Sequence, residues 1–275
     1  MHPGVVHLTG GLGNQLFGFY FAKSLCLIQN RQIFVNKANL EPRGFQLAPL
    51  ETSLVENLAI REYSKKTFNK KDLIQNRFTR KIYFERAFSF NPNLIDSRYL
   101  EYYGYFQSWK YLESLKSSIK EDFDQHISNM VSGNLYFEFL QQAYVAIHIR
   151  RGDYVNLQNY HGLTTKEYFQ NSMKYLREFH GIDLPVLVFS DDIDKAREII
   201  PDAFKYVAKE DTRNDWDTLL LMANAQALVG SNSSFSWWAA YGGNSNVAIF
   251  PNPWFQNRKI DSSDLLHPDW LRLGI

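Results

Sequence analysis

Residues 144–153 read YVAIHIRRGD, and the fold turns on how this stretch is understood. The apolar β-formers at 144–149 predict a buried strand, which runs without a linker into two arginines, a glycine and an aspartate. In an open α/β sheet the carboxyl ends of the strands form the ligand crevice, so Arg150 and Arg151 would stand where an anionic substrate lies. Phosphate is the anion that the planar guanidinium fork fits best. The plain alternative is a pair of solvated loop arginines after a core strand, since exposed charge is the usual state of Arg. Strand alternation puts His148 and Arg150 on one face and Arg151 on the other.

Downstream, TTKE at 164–167 opens an amphipathic helix to about His180 in the manner of a capping box. A strand at 186–189 ends in Ser190-Asp191-Asp192; one carboxylate suits the cap of a helix at 193–200, and capping does not account as readily for both. Residues 215–225 read as a helix with acids in its first turn, so Asp217 is open to an ordinary helix-dipole role. A strand at 226–230 leads into Ser231-Asn232-Ser233-Ser234 and a short helix from Phe235, stopped by Gly242-Gly243. Small hydroxyl residues opening a helix just past a strand suit phosphate, because free N–H groups point outward there. Three strand ends thus bring Arg150 and Arg151, Asp191 and Asp192, and Ser233 and Ser234 to one crevice. The expected ligand carries phosphate and lies between two α/β lobes.

The N-terminal half begins with a strand at 5–8, the glycine loop GGLGNQ at 10–15, and an apolar helix at 16–28. This order belongs to a first βα unit, although the spacing is neither G-x-G-x-x-G nor a phosphate loop with GK[ST]. Gly11 and Gly13 either make a tight turn or let backbone approach a ligand; Asn14 and Gln15 either cap the helix or face something polar. A second strand is expected at 32–36, and residues 37–98 read as mostly helix and loop. The aromatic stretch YLEYYGYFQSWKY at 99–111 suits a core or a sugar-binding wall. A helix follows at 113–129, the linker is placed at Ser132-Gly133-Asn134, and prolines 251, 253 and 268 punctuate a loop-rich tail. The expected lobes are residues 1–133 and 134–275.

At 275 residues, 45% hydrophobic and 16% aromatic, the chain is a folded globular protein, and a net charge of +1 argues against a strongly basic nucleic-acid binder. Basic residues gather at Arg61, Lys65, Lys66, Lys70, Lys71, Arg77, Arg80 and Lys81 against Glu62 and Asp72, a solvated surface or a patch for anionic lipid or polyanion. The single Cys26, in an apolar segment, reads as buried. Scattered histidines, with no CxxC or HExxH, offer no dedicated zinc site. The N-terminal stretch MHPGVVHL lacks a secretion signal, and no apolar run approaches a membrane span, so a cytoplasmic protein, with peripheral membrane contact through 61–81 as an option, is expected.

The segments GGLGNQLF, GYFQSWKY, HIRRGDY, FSDD and LLLMANAQALVGSNSSFSWWAAY, in this order across residues 4–251, resemble the bacterial α-1,2-fucosyltransferases of glycosyltransferase family 11. More distantly they look like α-1,6- and protein O-fucosyltransferases. The resemblance implies a GT-B fold of two Rossmann-like lobes, an acceptor-side lobe first and a GDP-fucose-binding lobe second. It implies an inverting transfer of L-fucose from GDP-β-L-fucose to O2 of a terminal β-galactoside, with no cofactor and no metal. It places Arg150 on the donor pyrophosphate, His148 near guanine, and Arg151 and Asp153 on the remaining motif positions. Asp217 matches a guanine-binding aspartate, Ser233 and Ser234, with Phe235 at the helix start, a second phosphate contact, and Asn14 an amide near the transferred fucose. The glutamate that serves as base in α-1,6 relatives corresponds to Gln158, which leaves Asp153 as the candidate base, or none. The rivals are another linkage or a protein acceptor, and a sugar-nucleotide-binding module without turnover.

Overall fold

The computed structural model describes residues 2–38, 40–63, 81–130, 139, 141–151, 162–208, 211–257 and 259–275. They form two compact units, Met1–Leu115 with Ser263–Leu265, and Lys116–Ser262 with Leu266–Ile275. The division falls before the helix Lys116–Ser128 rather than after it; the linker expected at 132–134 lies outside the described residues.

The first unit is built on the strands β1 (Gly4–His7), β2 (Ile33–Asn36), β3 (Leu58–Arg61), β4 (Ile82–Phe84) and β5 (Glu101–Tyr103), in the spatial order β3-β2-β1-β5-β4. Every pairing among them is parallel. Parallel strands need crossovers that cover the sheet faces, which is why β2 (IFVN) is buried at all four positions and reads as a continuous run rather than an alternation. The main crossover, α1 (Leu12–Gln29), is apolar on almost every side and correspondingly buried. It begins four residues earlier than expected, so Gly13, Asn14 and Gln15 lie in its first turn. Gly11 is its N-cap, with no side-chain cap, and Asn30 closes it in the left-handed conformation at φ 43°. The stretch 37–98 is not all helix and loop: it contributes β3 and β4, besides a short α2 (Pro92–Asp96).

The second unit opens with α3 (Lys116–Ser128) and carries β6 (Val145–Ile149), α4 (Lys166–His180), β7 (Val186–Ser190), α5 (Ile193–Ile199), β8 (Lys205–Val207), α6 (Asp215–Ala223), β9 (Ala227–Val229), α7 (Ser234–Gly242), β10 (Val247–Asn252) and β11 (Leu271–Gly274). The sheet is again parallel throughout, in the order β11-β10-β9-β6-β7-β8. Counted from β6 as the first strand, this is the doubly wound order 6-5-4-1-2-3, whose switch point lies between β6 and β9. Helix α4 covers one face: Tyr168, Phe169, Met173 and Leu176 recur at helical spacing and join Val145, Ile147, Ile149, Val188 and Val229 in one core. Thr165 caps it by accepting from the Tyr168 amide, and Gly181 at φ 64° ends it. The loop-rich tail holds one more strand, β11, paired with β10.

The aromatic stretch at 99–111 is largely core. Tyr102 is fully buried, accepting from Arg31 and donating to the Ser97 carbonyl at 2.9 Å, and Phe106 stacks on Phe21 at 4.0 Å. Among its rings Tyr105 is the exposed one, at 40%. Cys26 is buried, donating weakly to the Glu56 carbonyl. Of the basic run, Arg61 lies over the Phe34 ring at 4.5 Å, while Lys65, Lys66, Lys70, Lys71, Arg77 and Arg80 lie outside the described residues.

Candidate functional site

In the second unit Ile149 at the end of β6 is in register with Ser190 of β7, and Ile147 with Val229 of β9. Three strands therefore release the chain at one edge of the sheet, and the loops are stitched together there. The Arg150 amide donates to Ser231 Oγ at 3.0 Å, and that hydroxyl donates to the His148 carbonyl at 2.6 Å. Ser190 Oγ donates to the Ile149 carbonyl at 2.9 Å. Asp191 holds both arginines, one oxygen 2.8 Å from Arg150 Nη1 and the other accepting from the Arg151 amide at 2.8 Å. Asp192 caps α5 by accepting from the Lys195 amide at 3.0 Å. The two carboxylates thus divide between capping and orienting the arginines.

Arg151 makes a side-chain contact of its own. Its Nη2 donates to the Thr164 carbonyl at 2.9 Å, and its Nε has no hydrogen-bond partner among the described residues. Past β9, Ser233 is the N-cap of α7, accepting from the Phe235 amide at 3.3 Å, and Ser234 is its first residue. The first turn of a helix has N–H groups that no helical carbonyl accepts, and its dipole favours an anion. The Phe235 ring lies 5.7 Å from the His148 imidazole. Burial first, and then the positive charge of Arg150, hold the His148 pKa down to about 3, so the ring is neutral at physiological pH. Its Nδ1 is buried and has no hydrogen-bond partner among the described residues. A buried ring nitrogen without a partner is uncommon in a fold.

Asp217 is buried in the first turn of α6, where Asn214 caps its amide at 2.9 Å. Arg213 clasps its carboxylate through Nε at 2.6 Å and Nη2 at 3.2 Å. No hydrogen bond or ion pair joins Asp217 to Arg150, Asp191 or Ser231 among the described residues. Asp153 and Gln158 lie outside the described residues.

Gly11, Gly13 and Asn14 belong to the first unit. Gly11 stands where a Cβ would come 3.4 Å from the Arg43 side chain, and Gly13 is buried in the first turn of α1. Gln15 neither caps the helix nor offers itself to a ligand: its Nε2 donates to the Gly10 and Gly44 carbonyls and its Oε1 accepts from the Gln46 amide, bracing the glycine loop against the loop at 44–46. Asn14 Oδ1 accepts from Gln107 Nε2 at 2.7 Å. Sequence reasoning met Ser231 only within the turn at 231–234 and Gln107 only as one amide of a sugar-binding wall, and foresaw neither the Ser231 hydroxyl that joins β6 to β9 nor the bond from Gln107 to Asn14. Among the described residues no group of three or more His, Cys, Asp or Glu is placed to hold a metal, and no helix is long and apolar enough to cross a membrane.

The second unit is thus a Rossmann-like fold with Arg150, Arg151 and the start of α7 following the strands at its switch point. The chain belongs to glycosyl transferase family 11, whose sequence profile matches residues 6–274. It is similar to the alpha-1,2-colitosyltransferase of Escherichia coli, 29% identical over 98% of each chain. It is also similar to the galactoside 2-alpha-L-fucosyltransferase SEC1 of Bos taurus, 26% identical over 66% of this chain and 53% of that one. Among solved structures, fucosyltransferase NodZ from Bradyrhizobium is similar at a TM-score of 0.48 and 14% identity, over 86% of this chain and 91% of that one. The protein is a glycosyltransferase.

Proposed function

We propose that the protein transfers L-fucose from GDP-β-L-fucose to O2 of a terminal β-galactoside, forming an α-1,2 linkage. The observation that supports this best is the edge of the second sheet: the Arg150 side chain paired with Asp191 and its amide bonded to Ser231, three residues before α7 begins. A departing nucleoside diphosphate needs donors and positive charge where its oxygens gain charge, and this edge offers both without a metal. The donor is β and the product α, so the anomeric carbon is inverted in one displacement. The bond from C1 to the phosphate oxygen breaks, the bond from C1 to the acceptor O2 forms, and the hydroxyl proton leaves to Asp153 or to water. An oxocarbenium-like path lowers the demand on a base. Asn14 is assigned to the transferred sugar, and His148, Arg151, Ser233, Ser234 and Phe235 to the donor. Asp217 reads guanine in this assignment only if Arg213 swings off its carboxylate.

The test is incubation with GDP-fucose and lactose in excess EDTA, followed by mass spectrometry with linkage analysis; a 2-linked fucosyllactose is expected. Arg150→Ala should lower kcat by about 10²-fold or more with the fold retained, as for loss of a donor to a developing oxyanion. Normal turnover by that variant would contradict the assignment. The colitosyltransferase likeness over nearly the whole chain favours a second reading, with GDP-colitose as donor. Parallel assays with the two donors, compared by kcat/KM, decide between them.

A further inference from the structure

Asn14 and Gln107 meet at the switch point of the first sheet, one from the first turn of α1 after β1, the other from the turn that follows β5. The 2.7 Å bond between them uses the oxygen of Asn14 and the nitrogen of Gln107. Neither side chain has another hydrogen-bond partner among the described residues. The Asn14 amide nitrogen lies over the glycine loop: Gly10 has φ +72°, and a Cβ there would come 2.5 Å from Asn14 Nδ2. Any side chain at position 10 would push that nitrogen aside.

Gln107 is itself held in place. Glu85, following β4, accepts from the Tyr105 amide at 2.6 Å and the Phe106 amide at 3.0 Å. Phe106 adopts φ +54° with its ring stacked on Phe21, and Gly104 passes so close that a Cβ would lie 2.4 Å from Glu85 Cβ. A turn so fully determined presents the Gln107 amide in one place, 9% exposed. Asparagine has chemically opposite ends, and rotation by half a turn exchanges a donor for an acceptor. With its oxygen occupied by Gln107, Asn14 keeps two N–H donors for whatever approaches the glycine loop.

We propose that Gln107 is a positioning residue, which locks the Asn14 amide so that its NH₂ group, and not its oxygen, meets an acceptor oxygen of the bound sugar. The idea rests on the transferase reading for its ligand, while the lock itself is a property of the first unit. Two measurements test it. In a kinetic double-mutant cycle with GDP-fucose and lactose, Asn14→Ala is expected to lower kcat/KM by about 10²-fold and Gln107→Ala by about tenfold. The double variant should be no worse than Asn14→Ala alone, because Gln107 acts only through Asn14. Effects that multiply would overturn the proposal.

The second measurement needs no substrate. In ¹H–¹⁵N spectra of the side-chain amides, Gln107, identified by its loss in Gln107→Glu, should show one proton protected from exchange. That protection should persist in Asn14→Asp, whose carboxylate still accepts, and vanish in Asn14→Ala. Protection absent from the wild type, or lost in Asn14→Asp, would mean the lock does not exist or runs the other way. If the wild type makes no product, the donor and acceptor reading fails while the spectra still decide the lock.

Discussion

His148 shows what the site asks of a single residue. Its Nδ1 is buried without a hydrogen-bond partner among the described residues, while its backbone carbonyl accepts from Ser231. Such an arrangement costs stability. In the unfolded chain the ring titrates near 6.5, and in the fold near 3, lowered by burial and then by Arg150. Between those values the unfolded chain binds a proton that the folded one refuses. Stability should therefore fall as pH drops from about 6.5 towards 3, by up to about 1.4 kcal/mol per pH unit from this group. His148→Phe, which cannot protonate, should flatten that part of the profile of urea-unfolding free energy against pH; an unchanged slope would contradict it. At this scale the sequence was partly readable. Arg150, Asp191 and Asp192 follow apolar strands directly, and their shared edge was legible. Gln15 and Gln107 were not, because their partners lie 29, 31 and 93 residues away and no local pattern announces them.

Among the elements, the long ones and the buried short strands β1, β2 and β9 were legible, and the short, partly exposed ones were not. α1 and α4 carry enough apolar residues to show their period, and β6 and β7 are continuous apolar runs. β3, β4, β8 and β11 have only three or four residues each and are partly exposed, so their pairing is supplied by the neighbouring strand rather than by their own composition. The junction of α6 and α7 depends on one position. A Cβ on Gly243 would lie 2.2 Å from the Ala239 carbonyl oxygen and 2.4 Å from that of Ala223, backbone atoms that cannot turn away. Gly243→Ala should therefore destabilise the protein by about 3 kcal/mol or more, whereas Gly274→Ala, with nothing within 4 Å, should change little. Urea midpoints of the two variants check this; equal midpoints would refute the packing argument.

At the scale of the whole molecule, the first unit is completed by three residues from far along the chain. Asp264 accepts from the Phe90 amide at 2.9 Å and pairs with Lys110, all three belonging to the first unit. Asp264→Ala leaves the Phe90 N–H without that partner, a loss of about 1–3 kcal/mol. Hydrogen exchange read by mass spectrometry should then speed up in residues 81–115 while residues 162–250 keep their protection. Uniform acceleration of both would count against an effect confined to the first unit. The division into two lobes was legible from the repeated strand and helix order, but nothing local to residues 263–265 marks them as part of the first. Neither unit is one uninterrupted length of polypeptide, since the backbone passes from the first to the second, returns for Ser263–Leu265, and passes back. A chimera that exchanges one lobe with that of another family member by a single crossover would thus carry a foreign Ser263–Leu265 into the retained lobe, and a faithful exchange needs three junctions.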